Sequence, residues 1–149
     1  MMRWVWLTAL LFLAPAAGAA EYDAALAKRL GADDRGMRSY VFVLLKTGPR
    51  SDVPKEEQQT LFKGHMANIQ KLAAEGKLVV AGPFGDNPQK LEGIFIFNLT
   101  KVEEVEPLLK TDPAVAAGLL SYEVYRWYGS AAVMEIPAMH PRLDKTRRR

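Results

Sequence analysis

The order of the apolar segments constrains the fold of this chain more than any other feature of its sequence. Four segments rich in β-branched and aromatic residues are typical of strands: residues 40–45, 78–81, 93–99 and 122–128. Two segments with apolar residues at helical spacing lie between the first and second of these and between the third and fourth. The resulting βαββαβ order predicts an α+β domain of the ferredoxin-like class.

The starts and ends of the two helices can be read from the sequence. Pro54 suits a first helical position, because its missing N–H would have no partner there. We expect this helix to run to Glu75. Thr100 and Glu103 have the spacing of a capping box, which predicts the start of the second helix at Thr100. We expect that helix to end near Asp112 and a short turn of helix to follow it.

Residues 1–20 have the three regions of a secretory signal peptide. Arg3 supplies a basic head, residues 4–13 form an uncharged apolar run, and small residues fill positions 14–20. The apolar run is well short of the roughly 20 residues that a spanning helix needs, which favours cleavage over a retained membrane anchor. We therefore expect a periplasmic or secreted protein that has no stable membrane insertion after cleavage.

The rest of the chain divides into three parts around one domain. Residues 21–37 are an N-terminal extension that begins with a short helix over residues 22–30, residues 38–130 are the domain, and residues 131–149 are a basic tail. The chain has no cysteine, so disulfides are excluded and the domain depends on its core for stability.

The charges of the chain are nearly balanced apart from this tail. The sequence has 20 Lys and Arg against 17 Asp and Glu, and the basic residues cluster after position 141. A basic tail can contact phosphate or membrane surfaces, but it is more often a solvated, disordered end, which is the interpretation that we favour. No basic stripe with interleaved aromatic residues occurs in the domain, so we expect no nucleic-acid partner.

The third strand is apolar on both of its faces. Ile94 and Ile96 point to one side of the sheet, and Phe95 and Phe97 to the other. Because two right-handed crossover helices cover only one face of such a sheet, the other face needs a further cover. We predict a homodimer in which a second copy covers it. Two aromatic residues of the last strand are expected in or beside this interface: Tyr125 and Trp127.

His65 is the best candidate for chemistry, because an imidazole is the natural general base near neutral pH. It shares a helix face with Leu61 and Ile69, a position where a histidine is more often a packed core residue. Asp112 is the best candidate for a partner carboxylate, although an Asp before Pro commonly caps a turn. Glu123 is a weaker second candidate.

Other classes of chemistry receive little support from the sequence. One domain histidine without cysteine offers no metal-ligand spacing, and there is no nucleophile elbow, phosphate loop or dinucleotide fingerprint. We expect neither a metal nor a cofactor.

Several segments resemble the YciI-like (YCII-related) family, and they span the domain from about residue 40 to residue 128: residues 64–65, 76–84, 93–97, 111–118 and 122–127. The resemblance implies a ferredoxin-like fold that pairs sheet to sheet as a dimeric α+β barrel. It also implies a pocket with His65 and Asp112 as the catalytic pair, and with Gly82 and Pro83 as substrate-binding residues in its wall. A few relatives are dehydrochlorinases or resemble muconolactone isomerases, which move protons on small cyclic or aromatic compounds.

Two hypotheses of function follow from these observations. The first is an exported protein that transfers protons on a small organic molecule, as a lyase or isomerase would, with His65 as the base and Asp112 as its orienter. The alternative is a non-catalytic, dimeric ligand-binding or structural module in which His65 is a packed core residue.

Overall fold

The computed structural model describes residues 21–50 and 52–146. The elements in chain order are α1 (Ala24–Leu30), β1 (Met37–Thr47), α2 (Lys55–Ala74), β2 (Leu78–Pro83), β3 (Leu91–Phe97), α3 (Val102–Leu109), α4 (Pro113–Ala116), β4 (Leu120–Ser130), a 3-10 helix (Ala131–Glu135) and α5 (Ile136–Leu143). From β1 to β4 this is the predicted order, with α4 as the short turn of helix after α3. The signal peptide predicted over residues 1–20 lies outside the described residues.

The four strands form one antiparallel sheet in the order β2-β3-β1-β4. β1 lies in the centre, where Val43 is opposite Phe95 of β3 on one side and Val124 of β4 on the other. This topology confirms the predicted α+β, ferredoxin-like fold.

One face of the sheet carries the hydrophobic core. Phe95 and Phe97 are 2% and 0% exposed, and they belong to the same cluster as Leu72 of α2 and Val105 and Leu109 of α3. The sequence alone left open which apolar pair of β3 faces the helices. The structure assigns Phe95 and Phe97 to that role, so Ile94 lies on the opposite face.

We call the opposite side, defined by Phe42, Leu44, Ile94 and Tyr125, the open face. These residues are neighbours across β1, β3 and β4, because Phe42 is opposite Tyr125 and Leu44 is opposite Ile94. Tyr125 is 48% exposed and the other three are half-buried. The open face therefore keeps apolar surface that the described chain does not cover.

One end of the open face is covered by other residues of the same chain. Tyr40 is fully buried, its hydroxyl donates to the carbonyl of Ser130 (2.9 Å), and its ring lies 5.3 Å from that of Trp127. The 3-10 helix contacts both β1 and β2 nearby. Trp127 thus packs within its own chain.

The segments before and after the domain hold each other in place. Arg29 of α1 pairs with Glu135 of the 3-10 helix at 2.6 Å, and the buried Ala131 donates its N–H to the carbonyl of Gly36 at 2.9 Å. The prediction of a disordered end is wrong for residues 131–143, which are helical and contact α1 and the sheet. None of the helices in residues 21–50 and 52–146 is both long and apolar enough to cross a membrane.

Two helix starts differ from their predicted positions. α3 has Lys101 as its N-cap and no side-chain cap bond, so the capping box predicted for Thr100 is wrong. Pro54 is the N-cap of α2 rather than its first helical residue. Both shifts are one residue long, within the range over which helix ends are hard to place from sequence.

Candidate active site

A buried hydrogen bond between a histidine and an aspartate joins α2 to the segment that follows α3. The Nδ1 atom of His65 lies 2.6 Å from the Oδ2 atom of Asp112. His65 is 7% exposed and Asp112 is 0% exposed. The structure therefore brings together the two residues that the sequence singled out, although 47 positions separate them.

Asp112 is held in place by its own backbone surroundings. It is the N-cap of α4, with Pro113 at the first helical position, and its Oδ1 accepts from the N–H groups of Ala114 (2.9 Å) and Val115 (3.4 Å). One carboxylate thus fulfils both roles considered for it, since one oxygen caps the helix and the other meets His65. A capped carboxylate cannot rotate freely, so its free oxygen fixes the direction of the imidazole.

Gly64 lets the two helices approach closely enough for this contact. A Cβ atom at Gly64 would lie 2.8 Å from Cγ of Pro113, closer than real Cβ atoms come to a neighbour. The residue before His65 and the residue after Asp112 therefore touch, which sets the distance between the paired side chains.

The charge of Asp112 decides which ring nitrogen of His65 can accept a proton. Burial alone would raise the pKa of Asp112, but the hydrogen bond and charge of His65 and the N–H groups of α4 outweigh it and lower that pKa. An ionised carboxylate is only an acceptor, so Nδ1 must carry a proton at this short distance. In the neutral ring, Nε2 then carries the lone pair that a base needs.

Two aromatic rings contact the imidazole, and a buried amide lies one turn away on α2; the sequence analysis gave none of them a role at the site. The ring of Phe62 meets it edge-on and that of Phe95 stacks on it, each with centroids 5.9 Å away. The buried Asn68, one turn after His65 on α2, lies 3.2 Å from the hydroxyl of Thr111 through its Oδ1. The helical spacing of Asn68 from His65 was the available signal, since residues three apart share a helix face.

The domain that carries this site also matches a known protein family. Residues 40–128 match the YCII-related domain family. This chain belongs to that family. The match confirms the resemblance noted in the sequence, and it leaves the 3-10 helix and α5 outside the family domain.

Two solved structures are similar to this YCII-related chain. One is 5-chloro-2-hydroxyhydroquinone dehydrochlorinase from Burkholderia phenoliruptrix AC1100 in complex with 2,5-dihydroxybenzoquinone, at 23% identity, 58% coverage of this chain, 92% of that chain and a TM-score of 0.43. The other is a dimeric protein of unknown function and ferredoxin-like fold from Bacteroides fragilis NCTC 9343, at 21% identity, 62% and 97% coverage and a TM-score of 0.37. No curated protein matches the chain.

The two residues expected in the pocket wall of this YCII-related domain lie at the end of β2. Gly82 is opposite Ile94 and Pro83 is opposite Gly93, and no hydrogen bond of the described residues joins either one to the pair of His65 with Asp112. The link is indirect, because Ala81, which precedes Gly82, is opposite Phe95, the residue that stacks on His65.

Glu123, the weaker candidate for a partner of His65, belongs to a different cluster. It lies beside the open face, where it accepts from Lys46 Nζ (2.9 Å) and from the hydroxyl of Tyr125 (2.6 Å). The hydrogen bond from Tyr125, followed by that from Lys46, lowers the pKa of Glu123. Within residues 21–50 and 52–146, no group of three or more potential metal ligands occurs.

Proposed function

We propose that this YCII-related protein is an exported homodimer that transfers protons on a small organic molecule, with His65 as the base. One observation carries the catalytic part of the proposal, the 2.6 Å contact between Nδ1 and the buried carboxylate of Asp112. A base held by one nitrogen presents the other in a fixed direction, which is what general base catalysis requires.

The proposed reaction moves one proton between the substrate and His65. Nε2 of His65 takes a proton from an acidic C–H or O–H group, which leaves the electron pair on the substrate and a positive charge on the ring. Asp112 stays ionised and stabilises that charge. The ring then returns the proton at another atom, giving an isomer. In an elimination, the electron pair forms a double bond, the leaving group departs with its own bonding pair, and the ring releases the proton to that group or to water.

The surroundings of Nε2 support this role. The described residues form no hydrogen bond to Nε2, and the one fully buried side-chain nitrogen or oxygen without a partner among them is Nε of Arg38. Nε2 is therefore not sealed in the core, although most of the ring is.

The burial of the ring favours one alternative. At 7% exposure and between two phenylalanine rings, His65 also fits a packed core residue of a non-catalytic, dimeric ligand-binding or structural module. In that case the hydrogen bond between His65 and Asp112 would serve to join α2 to α4, and no substrate would lose a proton.

The open face supports the proposed homodimer. Phe42, Leu44, Ile94 and Tyr125 offer apolar surface that would gain about 25 cal/mol for each Å² removed from water. A second copy presents the same surface, so one twofold contact would cover both. Lys46 and Glu123 beside this patch neutralise each other, which lowers the cost of bringing them to an interface.

The proposal of export has its own test. The regions of residues 1–20 are those of a signal peptidase substrate. Mass spectrometry of the protein from its native host should give a mature N-terminus at Ala20 or Glu21, whereas an intact Met1 would contradict export.

Deuterium incorporation tests the catalytic proposal without a known product. The protein is incubated in D₂O with a panel of small carbon acids (cyclic ketones, unsaturated lactones and hydroxyquinones), and exchange is followed by proton NMR. We expect exchange of at least one compound, with a loss of roughly a hundredfold or more in His65→Gln. Met66→Gln, on the exposed side of the same helix, is the matched control. Equal exchange in His65→Gln and wild type, or none across the panel, would favour the non-catalytic module.

A further inference from the structure

The C-terminal helix α5 is mostly apolar, and yet it lies on the surface. All eight of its residues, Ile136–Leu143, are exposed, and six of them are apolar. Ile136, Met139 and Leu143 have the spacing of one stripe along a helix, and Leu143 is 78% exposed. An exposed apolar surface of this kind usually marks a place of contact with a partner.

The stripe of α5 is held in a fixed position on the domain. The 3-10 helix before it is joined to the N-terminal segment by the hydrogen bond from Ala131 to Gly36 and by the ion pair of Glu135 with Arg29. α5 itself contacts the edge strand β2. A folded segment therefore displays the stripe, so binding through it requires little further ordering of the chain.

Basic side chains directly follow the stripe. After position 141 the sequence has five basic residues, at positions 142, 145 and 147–149, and one acidic residue, Asp144. Arg142 and Lys145 are exposed. An apolar stripe beside a basic cluster is typical of a segment that lies on an anionic membrane, because the apolar side chains enter the acyl boundary and the cations meet lipid phosphates.

The charge of this segment distinguishes a membrane from other partners. A twofold contact of α5 with a second copy would bring two basic clusters together, and like charges at an interface repel. The homodimer proposed above uses the open face, which includes no residue of α5. A soluble polyanion would match the cations but would leave the apolar stripe in water. An anionic bilayer matches both parts of the surface.

We propose that α5 and the basic residues after it form a docking surface for a bilayer that contains anionic phospholipids. Ile136, Met139 and Leu143 enter the headgroup boundary, and Arg142 and Lys145 lie among the phosphates. The protein lies on the membrane surface without spanning it. This inference does not depend on the proposed proton transfer, and it gives the C-terminal segment, which lies outside the family domain, a role of its own.

Sedimentation with vesicles tests this docking surface. The protein used begins at Glu21, so the apolar run of residues 4–13 cannot contribute, and every element described above is retained. We expect it to sediment with vesicles of equal parts phosphatidylglycerol and phosphatidylcholine and to stay in solution with phosphatidylcholine alone. Added salt should release it from the anionic vesicles, because salt screens the attraction between exposed charges.

A double variant removes the apolar part of the surface. Met139→Gln with Leu143→Gln should weaken binding to the anionic vesicles roughly tenfold or more, because two apolar side chains no longer leave water. Leu26→Gln with Met66→Gln makes the same two changes at exposed positions outside α5, and should bind as the wild type does. Circular dichroism checks that both double variants stay folded.

A triple variant removes basic charge from the end of the chain: Arg147→Gln, Arg148→Gln and Arg149→Gln. Its control removes three lysines at exposed positions elsewhere: Lys55→Gln, Lys63→Gln and Lys110→Gln. Each cation near an anionic surface strengthens binding roughly fivefold, so the first variant should lose roughly a hundredfold and the control much less.

Three results would overturn the docking surface. Equal binding to the two kinds of vesicle would exclude a role for the cations. Equal losses in a variant and its control, in either comparison, would place the contact elsewhere on the protein. No sedimentation with either vesicle would mean that a partner protein, rather than a membrane, covers α5.

Discussion

The two faces of the sheet carry the same kinds of groups in opposite settings. The covered face holds Phe95 and the hydrogen-bonded pair of His65 with Asp112, whose side chains are 9% and 1% exposed. The open face holds Ile94, and beside it lies the ion pair of Lys46 with Glu123, whose side chains are 38% and 42% exposed. The atoms of the two pairs are similarly close, at 2.6 and 2.9 Å.

This difference shows that distance alone does not set the importance of such a pair. On the open face, water and salt screen the charges and can replace either partner. On the covered face, water cannot replace either partner, so removing one leaves a buried polar group of the other without a hydrogen bond. Four changes test this contrast, from the largest expected effect to the smallest.

A carboxylate introduced on one face of β3 or on the other should give the largest difference in outcome between the two faces. Phe95→Glu places a carboxylate in the core and should leave no cooperative thermal unfolding. Ile94→Glu places it on the open face, so the protein should stay folded and the proposed dimer should dissociate. Circular dichroism and light scattering measure the two outcomes. A folded Phe95→Glu variant would contradict the assignment of faces, and a monomeric wild type at micromolar concentration would contradict the dimer.

Truncating the acid of each pair should give unequal losses of stability. Asp112→Ala removes both the partner of His65 and the N-cap of α4, and should lower the free energy of unfolding by about 2–4 kcal/mol. Glu123→Ala should leave it nearly unchanged, because that carboxylate is solvent-exposed. Urea denaturation of both variants measures the two losses in free energy of unfolding. Similar losses in the two would mean that burial does not distinguish the pairs.

A methyl group added to a glycine near each site should have a smaller effect. Gly64→Ala would press on Pro113 and move Asp112 away from His65, which should cost about 1 kcal/mol net of the gain in helix propensity. Gly82→Ala meets no atom within 4 Å and should be neutral for stability. Thermal unfolding of both variants provides the comparison, and a neutral Gly64→Ala would show that the contact of α2 with α4 is not tight.

Acid should destabilise the protein through Asp112. Because the pKa of Asp112 is below its usual 3.8 in the folded state, the unfolded chain binds more protons there, and this contribution is complete above that pH. It is lost as the pH falls from that value through the lower folded pKa. Asp112→Asn should flatten the acid limb of a plot of unfolding midpoint against pH, and Glu123→Gln should flatten it less, since solvent screens its partners. Equal slopes in Asp112→Asn and wild type would contradict the lowered pKa.

Much of this fold could be predicted from the sequence, because its signals are local. The β-branched run around Val43 and the helical spacing of Leu61, His65 and Ile69 each depend on nearby residues, and the structure confirms both elements. The site was partly predictable for a similar reason. Asp112 precedes a proline at a helix start, and His65 shares a face with apolar residues. The two were candidate partners from the residues, and the family resemblance implied the same pair.

The remaining features depend on contacts between distant residues. Both faces of β3 are apolar, so only the packing of α2 and α3 shows that Phe95 faces inward. The basic residues after position 141 favoured the interpretation of the C-terminal segment as a solvated end. Its helices are held in place by residues far away in sequence, as Glu135 is by Arg29. No local sequence pattern predicts such a contact.

The protonation of the His65 ring tests the central claim most directly. Nitrogen chemical shifts of the ring are measured by ¹⁵N NMR in wild type, at a pH where the ring is neutral. If Asp112 orients a base, the proton lies on Nδ1 and the lone pair on Nε2, and Asp112→Ala removes this preference. A wild-type ring with its proton on Nε2 would contradict the account, because the nitrogen assigned to take the substrate's proton would already carry one.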